Sequence, residues 1–195
     1  MAQNAVSKLV IIGGSAGSLE VVLQIVTALP RSSGAAFVIV IHRKADSESV
    51  LTSLLSNRTA LAVKEVEDKE DIRPDTVYVA PADYHLLLED HYSFSLDCSE
   101  KIHFSRPSID VSFDAAAETF GSRCAGVLLS GANADGATGL KQIRERGGFT
   151  IAQEPSSAEV SYMPQQAIAL DAAAAILSPN EMGKAINEWL RDDKQ

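Results

Sequence analysis

The chain has 195 residues, 46% of them hydrophobic and 22% charged, which is long enough to bury a core and too apolar for a disordered chain. Its 26 acidic against 17 basic residues give a formal charge of −9, and with no Lys/Arg cluster this argues against nucleic acid and anionic membrane surfaces as partners. Twelve glycines, two cysteines and no sustained heptad exclude collagen, a disulfide-stapled miniprotein and a coiled coil.

In chain order, Leu9–Ile12 reads as a buried strand, followed after Ser15 by Leu19, Val22, Leu23 and Val26 at helical spacing up to Pro30. Ala36–Ile41 is a second strand, continuous rather than alternating, as a strand covered on both faces should be. Ser47 is a candidate cap for a helix carrying Val50, Leu51, Leu54 and Leu55. The short runs from Val77, Tyr84 and Tyr92, with Asp90-His91 as a turn, predict an antiparallel insert over about residues 77–97. A helix from Ser108, a strand over Ala125–Leu129 and a helix over Gly139–Arg146 follow, the last stopping at Gly147-Gly148. Phe149–Ala152 and Ala174–Leu177 are the last predicted strands, and Ser178-Pro179-Asn180-Glu181 is a capping box for the final helix. The fold class expected is α/β: a doubly wound, mostly parallel sheet in three α/β/α layers with a small antiparallel hairpin insert, forming one domain over residues 1–195. No apolar run reaches the roughly 18 residues of a membrane helix, and the N-terminus lacks a signal-peptide pattern. Cys98 and Cys124 read as free thiols, so a cytoplasmic location is expected.

Three loops follow predicted strands and carry chemistry-bearing residues. Gly13-Gly14-Ser15-Ala16-Gly17-Ser18 admits three readings. As a dinucleotide fingerprint it lacks two glycines, and as a Walker loop it lacks the lysine. As a nucleophile turn, Gly13-x-Ser15-x-Gly17 has the spacing that exposes a serine hydroxyl at a helix N-terminus. A turn that only joins strand to helix is the plain alternative. His42 ends the second strand, at the sheet edge where open α/β folds bind ligands. Asp135 follows the strand Ala125–Leu129, in a loop of small residues, and reads either as a helix cap or as the partner of a histidine. Ser15, His42 and Asp135 therefore converge on one sheet edge with the logic of nucleophile, base and orienter. His85, His91 and His103 match no zinc spacing and are assigned solvated or hydrogen-bonded roles. Ser108 reads as an N-cap, Asp110 and Asp114 as first-turn carboxylates, and Arg106 as free to meet an acidic group of a substrate.

Over about residues 8–190 the pattern resembles the catalytic domain of CheB-type protein-glutamate methylesterases. The resemblance is carried by Ser15-Ala16-Gly17-Ser18, His42-Arg43, Arg106-Pro107-Ser108-Ile109-Asp110, Gly131 to Gly136, Ile151-Ala152-Gln153 and Met163-Pro164, in that order. It implies a Ser15–His42–Asp135 triad, an oxyanion site near the N–H groups of Ala16 and Ala132, and no cofactor. The activity implied is hydrolysis of glutamate methyl esters, with glutamine deamidation through the same acyl-enzyme. The implied substrate is a methyl-accepting chemotaxis receptor or similar methylated helical protein. The chain begins close to the first strand, so the resemblance implies a stand-alone domain, with a response-regulator domain acting in trans. Ala16, Ser18, Arg43, Ala132 and Asn133 depart from the family's usual Thr, Gly, Met, Met and Gly. Those departures keep open a catalytically weakened scaffold, and the glycine-rich turn keeps open a phosphate- or nucleotide-binding module of the same fold.

Overall fold

A computed structural model describes residues 6–43 and 48–192. The chain runs β1 (Leu9–Gly14), α1 (Leu19–Ala28), β2 (Ala36–Ile41), α2 (Glu48–Ser56), β3 (Ala62–Glu65), β4 (Thr76–Val79), β5 (His85–Glu89) and β6 (Ser93–Asp97). It continues α3 (Ile109–Phe120), β7 (Cys124–Leu128), α4 (Ala137–Glu145), β8 (Phe149–Gln153), α5 (Tyr162–Ala169), β9 (Ala175–Leu177) and α6 (Pro179–Arg191). The position proposed as a cap for α2, Ser47, lies outside the described residues.

Among the described residues one sheet has seven strands in the order β3-β4-β2-β1-β7-β8-β9, every pairing parallel. Its central strands are apolar throughout because both faces are covered. Leu9 and Ile11 of β1 face a core shared with Phe113 of α3 and Leu140 of α4. Val10 and Ile12 face the opposite core, with Val22 of α1, Leu55 of α2 and Ile186 of α6. The result is the expected three-layer, doubly wound fold. No helix of the described residues is long and apolar enough to cross a membrane.

The hairpin insert is smaller than the sequence suggested. Among the named strands of the described residues only β5 and β6 pair antiparallel, His85 opposite Asp97, whereas β4 joins the main sheet beside β2. A short run such as Thr76–Val79 fits either sheet by pattern, and its partner is decided by tertiary packing. β3 escaped notice because it is a four-residue edge strand, Ala-Val-Lys-Glu, with none of its residues buried. The helix α5 was also unforeseen, since Pro164 stands within it; a first-turn proline costs no helical hydrogen bond.

From β1 the chain winds outward through β2 in one direction and through β7 in the other. The crevice at the carboxyl ends of β1 and β7 is thus the topological switch point, where doubly wound sheets bind ligands.

Candidate active site

Three loops meet at that crevice. β1 runs into the Ser15 turn, and Ser15 N–H donates to Ser130 O beyond β7 at 2.9 Å. Gly17 takes a left-handed conformation, φ 76°, which lets the chain turn from β1 into α1. Ser130 reinforces the turn: its hydroxyl donates to Ala16 O at 2.7 Å, and its N–H donates at 2.9 Å to the buried Gln153. Gly131 brings the loop close to its neighbours: a Cβ there would lie 2.4 Å from the Met163 methyl and 3.1 Å from Ser15 Cβ, so Met163 would have to move. Ser18 donates its hydroxyl to Ser15 O at 2.7 Å and tightens the same turn.

His42 follows β2, and its N–H donates to Gly14 O at 3.2 Å, which fixes it one strand over from Ser15. Its Nε2 lies 2.7 Å from Asp135 Oδ2, with the aspartate fully buried. The Asp135 carboxylate collects three further donors: Ile109 N at 2.7 Å, Ser108 Oγ at 2.8 Å and Asp110 N at 2.9 Å. Asp135 therefore does cap a helix, but the helix is α3 and not its own. Burial alone would push its pKa up; the hydrogen bonds from His42, Asp110, Ile109 and Ser108 outweigh that and hold it below the usual carboxylate value. An ionised Asp135 accepts, so His42 carries its proton on Nε2 and leaves Nδ1 as a lone pair.

The hydroxyl at that lone pair is Ser105's, 3.3 Å from Nδ1, and among the described residues the Ser15 hydroxyl forms no hydrogen bond to His42. Sequence reading did not single out Ser105. It arrives through a tight turn in which His103 and Phe104 both have positive φ, 49° and 62°. Such a turn has no Asn-Gly or Asp-Gly mark here. Among the described residues the N–H groups of Ala16 and Ala132 are engaged by no acceptor, so both are available to an oxyanion.

Ser108 caps α3 as expected, its hydroxyl accepting from Val111 N. His85 is buried and hydrogen-bonded: Nε2 donates to Glu100 O, and Nδ1 accepts from Ser108 N. Arg106 is anchored through Nη1, which donates to Cys98 O and Ser99 O, both at 2.7 Å. Asp110 is more than a first-turn carboxylate, since it accepts from Gly139 N at 2.7 Å.

Asp110 and Asp135 respond oppositely to substitution. Burial, with the neighbouring Asp135 charge, raises the Asp110 pKa, so its ionised form at neutral pH costs folding stability. Asp110→Asn keeps an oxygen for Gly139 N–H and removes that charge. Its melting temperature is expected to equal or exceed wild type, within about 1 kcal/mol. A large drop in a thermal melt would show instead that the Asp110 charge supports the α3 N-terminus.

Residues 10–186 match the CheB methylesterase family. A putative protein-glutamate methylesterase/protein-glutamine glutaminase of Leptospira interrogans is 43% identical over 169 residues, covering 87% of this chain and 88% of that protein. The protein-glutamate methylesterase FrzG of Myxococcus xanthus is 40% identical over 182 residues; the chain spans about half of that protein, 54% of its length. The crystal structure of the Thermotoga maritima CheB methylesterase catalytic domain superimposes with a TM-score of 0.90 at 33% identity, over 94% of this chain and 99% of that one. Matched in sequence over most of its length and in fold over nearly all of it, the chain belongs to the CheB methylesterase family.

Proposed function

We propose that the chain is a serine hydrolase that demethylates glutamate γ-methyl esters through a Ser15–His42–Asp135 triad. The observation that carries this reading is the 2.7 Å His42–Asp135 pair beside the Ser15 turn, at the switch point of the sheet. Ser15 Oγ attacks the ester carbonyl while His42 Nδ1 takes its proton, and Asp135 stabilises the imidazolium. The N–H groups of Ala16 and Ala132 receive the oxyanion. His42 then returns the proton to the departing methoxide, so methanol leaves and an acyl-Ser15 ester remains. Water, activated by the same nitrogen, hydrolyses that ester to the free glutamate. A glutamine side chain would follow the same path with ammonia as leaving group.

The substrate on this reading is a methylated helical protein of the chemotaxis-receptor kind, and residues 1–195 form one catalytic domain. Methanol release from a γ-methyl-glutamyl peptide tests the activity, and no release at any pH would overturn it. Thermal stabilisation by nucleotides, with no hydrolysis, would favour the phosphate-binding alternative.

Ser105 is a rival nucleophile, because its hydroxyl is the one at His42 Nδ1. It lies three residues before the α3 cap Ser108, and the first N–H groups of α3 are taken by Asp135 and by the Ser108 hydroxyl. We expect Ser15 to replace Ser105 at Nδ1 when substrate binds. Ser105→Ala should therefore keep methanol release within about threefold of wild type. A collapse as deep as that of Ser15→Ala would transfer the nucleophile's role to Ser105.

A further inference from the structure

Beside His42, on the side of the Phe104 turn, a cleft of about 530 Å³ is lined by Arg43, Lys101 and Arg106, with Asp83 as its one carboxylate among the described residues. Three cations in one cleft stand out on a chain of formal charge −9. Two of them are held rigid. Arg43, 7% exposed, donates from Nη2 to Glu65 Oε2 at 2.6 Å and to Ala80 O at 3.1 Å. Arg106 is fixed through Nη1 to Cys98 O and Ser99 O.

Each of these guanidinium groups nevertheless keeps a buried donor without an acceptor among the described residues, Nη1 of Arg43 and Nε of Arg106. A buried N–H on a charged group is costly to leave unpaired. Both guanidinium groups belong to residues that line one cleft, with the exposed Lys101 at its edge, and together they favour an anion there. The planar guanidinium fork matches a carboxylate. Among the described residues Glu65 pairs with Arg43 and Asp83 is the carboxylate of the lining, which leaves one of the three cations formally unbalanced.

We propose that Arg43, Lys101 and Arg106 form an anion subsite that holds a carboxylate of the substrate protein next to the scissile ester; this rests on the esterase reading above. The ester itself is uncharged, and its product carboxylate forms at Ser15, so the subsite reads a neighbouring acidic side chain. The enzyme then prefers methyl-glutamate in an acidic setting.

The test compares two γ-methyl-glutamyl peptides that differ only in flanking residues, Glu in one and Gln in the other. Wild type should hydrolyse the acidic peptide with a kcat/KM roughly tenfold higher, and the preference should shrink as salt is added. Arg43→Gln and Lys101→Gln should each pull the ratio toward one. Arg43→Gln also leaves Glu65 unpaired, so the exposed Lys101→Gln keeps the test valid if the first variant fails to fold. Equal rates on both peptides in wild type, or a preference that neither variant changes, would overturn the subsite alone. Hydrolysis of neither peptide would overturn the esterase reading and the subsite with it.

Discussion

Asp135→Asn is expected to reduce turnover on a methyl ester by on the order of 10⁴ and to destabilise the fold as well. The catalytic loss follows from the tautomer. Asparagine can point its N–H₂ at His42 Nε2, which moves the imidazole proton to Nδ1 and removes the lone pair that must deprotonate Ser15. The charge that stabilises the imidazolium is lost too. The stability loss follows from counting donors: His42, Ile109, Ser108 and Asp110 all point at the two carboxylate oxygens. An amide offers one oxygen, so half of those donors face an N–H₂, at a cost of about 1–3 kcal/mol.

The pH dependence has a fixed sign. Asp135 has a folded-state pKa below its ordinary 3.8, so its contribution is complete above that value and disappears as pH falls through the lower one. Acid melts should show a decline in wild type that is smaller in Asp135→Asn. Asp114→Asn, at an exposed position on α3, is the control and should match wild type in both respects. Near-normal turnover in Asp135→Asn would remove Asp135 from the mechanism.

Ser15→Ala is expected to lower methanol release by between about 10⁴ and 10⁶, leaving only what the oxyanion donors and substrate binding supply. The fold should not notice. Ser15 uses its main chain for structure, N–H to Ser130 O and C=O from Ser18 N–H, and alanine keeps both. Its φ is not positive, so alanine adds no strain. The melting temperature should shift by no more than about 0.5 kcal/mol equivalent. A folded Ser15→Ala protein that still turns over would end the nucleophile assignment.

Much of this was legible in the residues. β1, β2 and β7 are unbroken apolar runs because each is buried on both faces, and the first residues past them fall on one sheet edge whatever the loops do. That is why Ser15, His42 and Asp135 could be named together. β3 and α5 were not legible: one is a short polar edge strand, the other carries a proline.

The second role of Asp135 was hidden for a different reason. It caps α3, which begins 26 residues earlier in the chain, and no local pattern records a cap that crosses the fold. Ser105 was hidden similarly, since only the backbone of the 102–105 turn brings its hydroxyl to His42. The setting of Arg43 was hidden too, since its partners Glu65, at the end of β3, and Ala80, just past β4, are 22 and 37 residues away in the chain.

The central claim is that Ser15 is the residue His42 activates. A fluorophosphonate probe, followed by mapping of the labelled peptide, tests it most directly, because the probe bonds only to a serine whose proton a neighbouring base removes. The account predicts a single adduct on Ser15, absent from Ser15→Ala, strongly slowed in Asp135→Asn and retained in Ser105→Ala. An adduct on Ser105, or undiminished labelling of Ser15→Ala, would contradict it.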